Sequence, residues 1–168
     1  MAGQRWRHWV AVASVLVALG LVTVTLTELW QYANKDRPEL IDHPVNVRTS
    51  NAACLTMRKA VHGIAPPAEA PVKVRVNAIR AQNQAVLGML EQIRRVGTER
   101  MERDVPLKTW MADWEQLVRA RETYAAALSA GHQKPLTLPA DPDGQPIINR
   151  MNSVGLDCTV PPELTSTS

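Results

Sequence analysis

Apolar positions change their spacing several times along the chain, and each change marks an element. From Val10 to Thr27 the run Val-Ala-Val-Ala-Ser-Val-Leu-Val-Ala-Leu-Gly-Leu-Val-Thr-Val-Thr-Leu-Thr has no charged residue. With its flanks it reaches about 20 residues, enough at about 1.5 Å per residue to cross a hydrocarbon core of about 30 Å. Trp6 and Trp9 stand at one end, Trp30 and Tyr32 at the other, where the two water–lipid interfaces favour aromatic rings. The run predicts a transmembrane anchor over residues 9–30. Arg5 and Arg7 lie in the short segment 1–8 before it, and Glu28 closes it. The positive-inside rule then keeps residues 1–8 in the cytoplasm and sends the C-terminal bulk across. A cleaved signal peptide would need a shorter apolar core and a small-x-small site; Thr25-Leu26-Thr27 is the nearest approach to one.

Beyond the anchor, residues 31–47 read as a stalk, because Pro38 and Pro44 disfavour helix at the residues before them. A first helix is expected to begin near Thr49-Ser50-Asn51, all good N-cap types. Cys54, Met57 and Val61 give it one apolar face, and Gly63 is the expected stop. The segment from Ala65 to Pro71 is a Pro/Ala linker. In the second helix Val72, Val76, Ile79, Asn83, Val86, Leu90 and Ile93 alternate in steps of four and three, a heptad seam that predicts a helix from 72 to about 103, with Gly97 a weak point. Asp104 and Pro106 announce a third helix. Its seam is Leu107, Trp110, Trp114, Leu117, Arg121, Tyr124 and Leu128, and Gly131 ends it. Two such seams joined by a tight turn predict an antiparallel helical hairpin. The tail carries an extended Pro135–Pro139, a turn at Asp141–Gly144 and a short helix around 146–151. Residues 161–168 are expected to be disordered.

The predicted fold is therefore all-α: one N-terminal transmembrane helix, then an extracytoplasmic three-helix bundle over 48–160, made of the long hairpin and a shorter helix. Cys54 and Cys158 are the only cysteines. In an oxidising compartment they are most simply a disulfide closing the domain; two Cys with no adjacent His make a poor metal set. Setting Arg5 and Arg7 apart from the 19 basic residues leaves 17 against 16 acidic ones. A nearly neutral outer domain argues against nucleic acid as a partner.

Candidate chemistry is sparse. His62 and His132 each stand beside a Gly at a helix end, where a cation suits the dipole. Asp141-x-Asp143-Gly144 has the opening of a calcium loop, but Gln145 and Asn152 occupy positions that need acidic ligands, so it reads as a turn. Trp110, Trp114, Arg121 and Tyr124 share the third seam and form a candidate ligand pocket, with core packing the competing reading for the two Trp. Arg94, Arg95, Arg100 and Arg103 crowd the end of the second helix. They form a candidate contact for an anionic surface, with ion pairs to Glu91, Glu99 and Glu102 as the alternative. No nucleophile triad, phosphate loop or paired acid set appears, so neither enzyme activity nor a cofactor is expected, and no metal. The functional expectation is a membrane-anchored interaction or accessory protein of the cell envelope, with the lipid bilayer and an envelope protein as partners. Alternatives are a binding domain for a lipid, sugar or cell-wall fragment, and a phage-type lysis adapter.

Overall fold

The computed structural model describes residues 16–29, 40–67, 69–95, 97, 103–132 and 134–166. The chain divides into two compact units, one up to Arg37 and one from Pro38 onward.

In the first unit, residues 16–29 form helix α1. Its leucines and valines, from Leu16 to Leu29, are each between 52% and 64% exposed. Thr23, Thr25 and Thr27 turn their hydroxyls back onto carbonyls three and four residues earlier, at 2.8–3.1 Å. Among the described residues no helix is long and apolar enough to cross a membrane. The described part of the expected anchor is α1; residues 9–15 and Trp30 lie outside the described residues.

The second unit is built on α2 (Pro44–Ile64), α3 (Val72–Arg94) and α4 (Val105–Ser129). A short α5 (Ile147–Asn152) and a 3₁₀ turn (Pro162–Leu164) follow. No strand occurs among the described residues. The cross-helix pairs Arg94–Glu115, Asn83–Arg121 and Arg75–Tyr124 run in opposite chain order, so α3 and α4 are antiparallel. α3 is the central helix, packed along α2 on one side and α4 on the other. The bundle is closed by the C-terminal segment: Ile147, Met151, Val154, Leu156, Val160 and Leu164 enter the same core as Met57, Leu90, Trp110 and Leu117.

Several boundaries differ from those the sequence predicts. α2 starts at Pro44 rather than near Thr49. Pro44 fits the first turn, where its missing N–H costs nothing. The buried positions of that turn and the next are Asn46 and Ser50, whose polarity hides the apolar period. The end of the expected stalk is also packed: Ile41 is 2% exposed and its N–H donates to the Val154 carbonyl at 2.9 Å. Residues 31–39 lie outside the described residues. Gly63 is not the stop of α2, which runs on to Ile64. Ala65 precedes Pro66, whose ring forces it to ψ 119° and breaks the helix there. α3 ends at Arg94 instead of near 103; Gly97 sits at φ 110°, incompatible with helix. The tail expected to be disordered from 161 is ordered to Ser166, because Leu164 is fully buried in the core; 167–168 lie outside the described residues.

Other expectations hold. The Asp104 side chain caps α4, accepting from the Leu107 N–H at 3.0 Å. Gly131, at φ 80°, ends it in a Schellman turn, with His132 N–H donating to the Ala127 carbonyl at 2.9 Å. Asp141 folds a turn by accepting from the N–H groups of Asp143 and Gln145. Cys54 and Cys158 are joined in a disulfide, with Cα atoms 5.7 Å apart.

Candidate functional site

Where the α3 and α4 seams carry Asn83 and Arg121, the core is interrupted. Below this level lies the main core; above it Val76, Ala125 and Leu128 form a small separate cluster with Ile79 and Tyr124. The level between is polar and buried: Gln82, Asn83 and Arg121 are 2–3% exposed. The Arg121 guanidinium fills it. Nε donates to Asn83 Oδ1 at 3.0 Å and Nη2 to Gln82 Oε1. Nη1 donates to the Leu164 carbonyl at 2.8 Å and the Glu163 carbonyl at 3.3 Å. Four of the five N–H donors of an arginine are thus used, and every acceptor is neutral. The nearest carboxylate in the network is one step removed: Asn83 Nδ2 donates to Glu122 Oε2 at 3.3 Å, and Glu122 pairs with Arg80. Burial pushes the Arg121 pKa down to about 10, still far above neutral pH, so the group stays cationic.

On one side of this layer a cavity of about 110 Å³ opens. Arg75, Ile79 and Gln82 of α3, Arg121 and Tyr124 of α4, Ala65 and Pro66 of the linker, and Glu163 and Ser166 of the C-terminal turn line it. Arg75 Nη2 donates to the Tyr124 oxygen at 3.4 Å. The Glu163 carboxylate accepts from His62 Nδ1 at 2.9 Å, and this hydrogen bond, with one to its own backbone, holds the Glu163 carboxyl below its ordinary range. A second, wider groove of about 380 Å³ runs between the outer face of α2 and Thr159–Glu163.

The four-residue pocket expected from the α4 seam does not assemble as one site. Trp110 and Trp114 stack edge-to-face in the main core, centroids 5.8 Å apart and 0–1% exposed, and Trp110 Nε1 donates to the Met151 carbonyl at 3.1 Å. The C-terminal segment covers the face that would have received a ligand. Arg121 and Tyr124 do line the cavity, and their partners there are Arg75 and Gln82, which lie off the heptad seam and gave no periodic signal.

The arginine group at the end of α3 is dispersed. Arg94 pairs with Glu115 and Arg95 with Glu91. Arg103 lies exposed just before α4, and Arg100 lies outside the described residues. Among the described residues no group of three or more His, Cys, Asp or Glu is placed to hold a metal ion. No protein-family model, curated protein or solved structure matches the chain.

Proposed function

We propose that this protein is a membrane-tethered interaction module: residues 9–30 anchor it, and the disulfide-closed helical domain works on the far side of the membrane as an accessory subunit of an envelope complex. The observation that supports the reading most is α1. A helix that leaves apolar side chains exposed is a poor object in water. Its only polar side chains short of Glu28 satisfy themselves on its own carbonyls, the condition a lipid environment imposes on polar groups. The Cys54–Cys158 bond agrees with an oxidising compartment, and Arg5 and Arg7 before the apolar run agree with a cytoplasmic N-terminus.

The test is made on native membranes. After alkaline carbonate washing the full chain is expected in the pellet, and protease added outside the cytoplasmic membrane is expected to digest the C-terminal domain. Release by carbonate, or protection of that domain, would overturn the anchored, outward orientation. Affinity purification in mild detergent is expected to bring down a stoichiometric membrane protein; a solitary chain would count against the accessory role.

A further inference from the structure

We propose that the groove between α2 and the segment Thr159–Glu163 is the docking site for an acidic, partly apolar segment of a protein partner. Such docking rests on the accessory role proposed above and specifies the chemistry of the partner. The groove encloses about 380 Å³, within the roughly 300–1,000 Å³ of clefts that receive ligands. Its lining is mostly apolar: Leu55 stands on the α2 wall at 53% exposure, with Val160, Pro161 and Pro162 on the other wall. A single exposed leucine on a flat surface needs no explanation. Set in a concavity against a proline wall, it offers a seat for another apolar side chain. Pro161 and Pro162 have no N–H to donate. That stretch of wall therefore cannot take up a strand by backbone pairing, and recognition falls to side chains.

The rim sets the sign of the occupant. Both walls are described throughout, so their charge follows from the sequence. From Pro44 to Ile64, α2 contains Arg48, Arg58, Lys59 and His62 and no Asp or Glu. Arg58, Lys59 and His62 line the groove, and Glu163 lines it from the other wall. Glu163 is hydrogen-bonded to His62. Even with His62 neutral, these walls carry two cations against one carboxylate. An Asp or Glu of the occupant would make charge-assisted hydrogen bonds with Arg58 and Lys59, while an apolar neighbour covers Leu55 and the prolines. Charge at the rim then selects the partner, and the apolar lining holds it. Anionic lipid is also drawn to basic residues, but headgroups present a plane. Here the apolar lining is set between two elements, where a protein chain can enter.

The experiment uses the full chain in detergent micelles. The probe is a fluorescein-labelled peptide in which glutamates flank a leucine, with a glutamine-for-glutamate copy as control. Fluorescence anisotropy is expected to show saturable binding of the acidic peptide, weakened by salt, and little binding of the copy. Arg58→Gln and Lys59→Gln are each expected to weaken binding about two- to fivefold, the range of single exposed ion pairs. The double reversal Arg58→Glu/Lys59→Glu is expected to abolish binding with the Tm held. Lys73→Glu/Lys108→Glu, of the same net charge but on α3 and α4, is expected to leave binding intact. No saturable binding, equal binding of the two peptides, or equal loss in the two double variants would overturn the proposal. Displacement of the peptide by phosphatidylglycerol doped into the micelles would assign the groove to lipid and overturn it as well. In native membranes the Arg58/Lys59 reversal is expected to stay in the carbonate pellet and to lose the co-purifying membrane protein. A partner retained by that variant would overturn the docking site and leave the accessory role standing; a solitary wild-type chain would overturn both.

Discussion

At the scale of single residues the molecule is organised by Arg121. Its removal strands two buried amides and two carbonyls at once. Arg121→Ala is therefore expected to destabilise the fold by at least about 1–3 kcal/mol in urea unfolding, the penalty for leaving even one buried neutral acceptor unsatisfied. Arg121→Lys, which keeps the charge but loses the planar fork, is expected to recover only part of it; full recovery would show that charge rather than geometry holds the layer. Glu163 gives a second residue-level expectation. Its carboxyl is held below 4.5 in the folded chain, chiefly by the hydrogen bond with His62. The unfolded chain therefore binds more protons as pH falls through 4.5 toward the lower folded value, and this contribution to stability is lost over that window. Glu163→Gln is expected to flatten the acid limb of the stability profile below the ordinary carboxylate range relative to wild type, and an unchanged slope would show that the His62 contact carries no linkage. The sequence marks Arg121 and Asn83, because a polar residue in an apolar seam is visible as a break in period. It does not mark the carbonyls of Glu163 and Leu164, because backbone acceptors have no residue signature and reach Arg121 only through the fold of the tail.

At the scale of elements, two polar contacts set how the helices are joined. Asp104 caps α4 through the Leu107 N–H and also accepts from Asn46 Nδ2 at 2.6 Å. Asn46 is fully buried and its Oδ1 has no hydrogen-bond partner among the described residues. Asp104→Ala should thus cost more than a surface cap: about 1 kcal/mol for the cap and about 1–2 kcal/mol more for the stranded Asn46 amide. In Asn46→Ala the same Asp104 substitution should fall back to the cap value, and a double-mutant cycle of chemical unfolding measures the difference. Arg150 ties α5 to α4 by a two-pronged bond to the buried Asp113, at 2.7 and 2.9 Å, and Asp113 holds the Arg150 pKa above its ordinary value. Arg150→Ala leaves that carboxylate buried and alone, and with Arg150 one-third exposed a loss of about 2 kcal/mol is expected; a neutral result in urea melts would mean that water reaches Asp113. The helices that declare themselves in the sequence are those whose buried positions are apolar. The seams of α3 and α4 are legible from Val76 to Leu128 for that reason, as are the Asp104 cap and the Gly131 stop. The start of α2 is hidden because Asn46 and Ser50 occupy its buried face, and its end is misread at Gly63 because Pro66, acting on Ala65, decides it.

At the scale of the whole domain, the pairing of Cys54 with Cys158 is readable from the cysteine count, but its mechanical meaning is not. The tail from Ile147 onward is mostly irregular, carries the Pro161–Pro162 pair and is short of periodic apolar positions, so its sequence resembles a loose end. In the fold it is a wall of the core. It supplies the carbonyl that receives Trp110, the carbonyls that receive Arg121, and Leu164 in full burial. Backbone hydrogen bonds hold little of it: Val160 and Asp157 donate to the side chains of Asn152 and Asn51 instead. A segment with so little regular structure is held by its contacts and by the covalent link, and the link spans 104 residues. In the chain-entropy account a loop of that length stabilises by about 4–5 kcal/mol. The double replacement Cys54→Ser/Cys158→Ser is therefore expected to lose that much in equilibrium unfolding. The loss should be uneven. Hydrogen-exchange protection should fall first at residues 147–166, then at the Arg121 layer that depends on their carbonyls, and last along the α3–α4 seam between Val86 and Trp114. A uniform loss of protection across the domain would mean that the disulfide acts on the unfolded chain alone and that the tail stays docked through its own contacts.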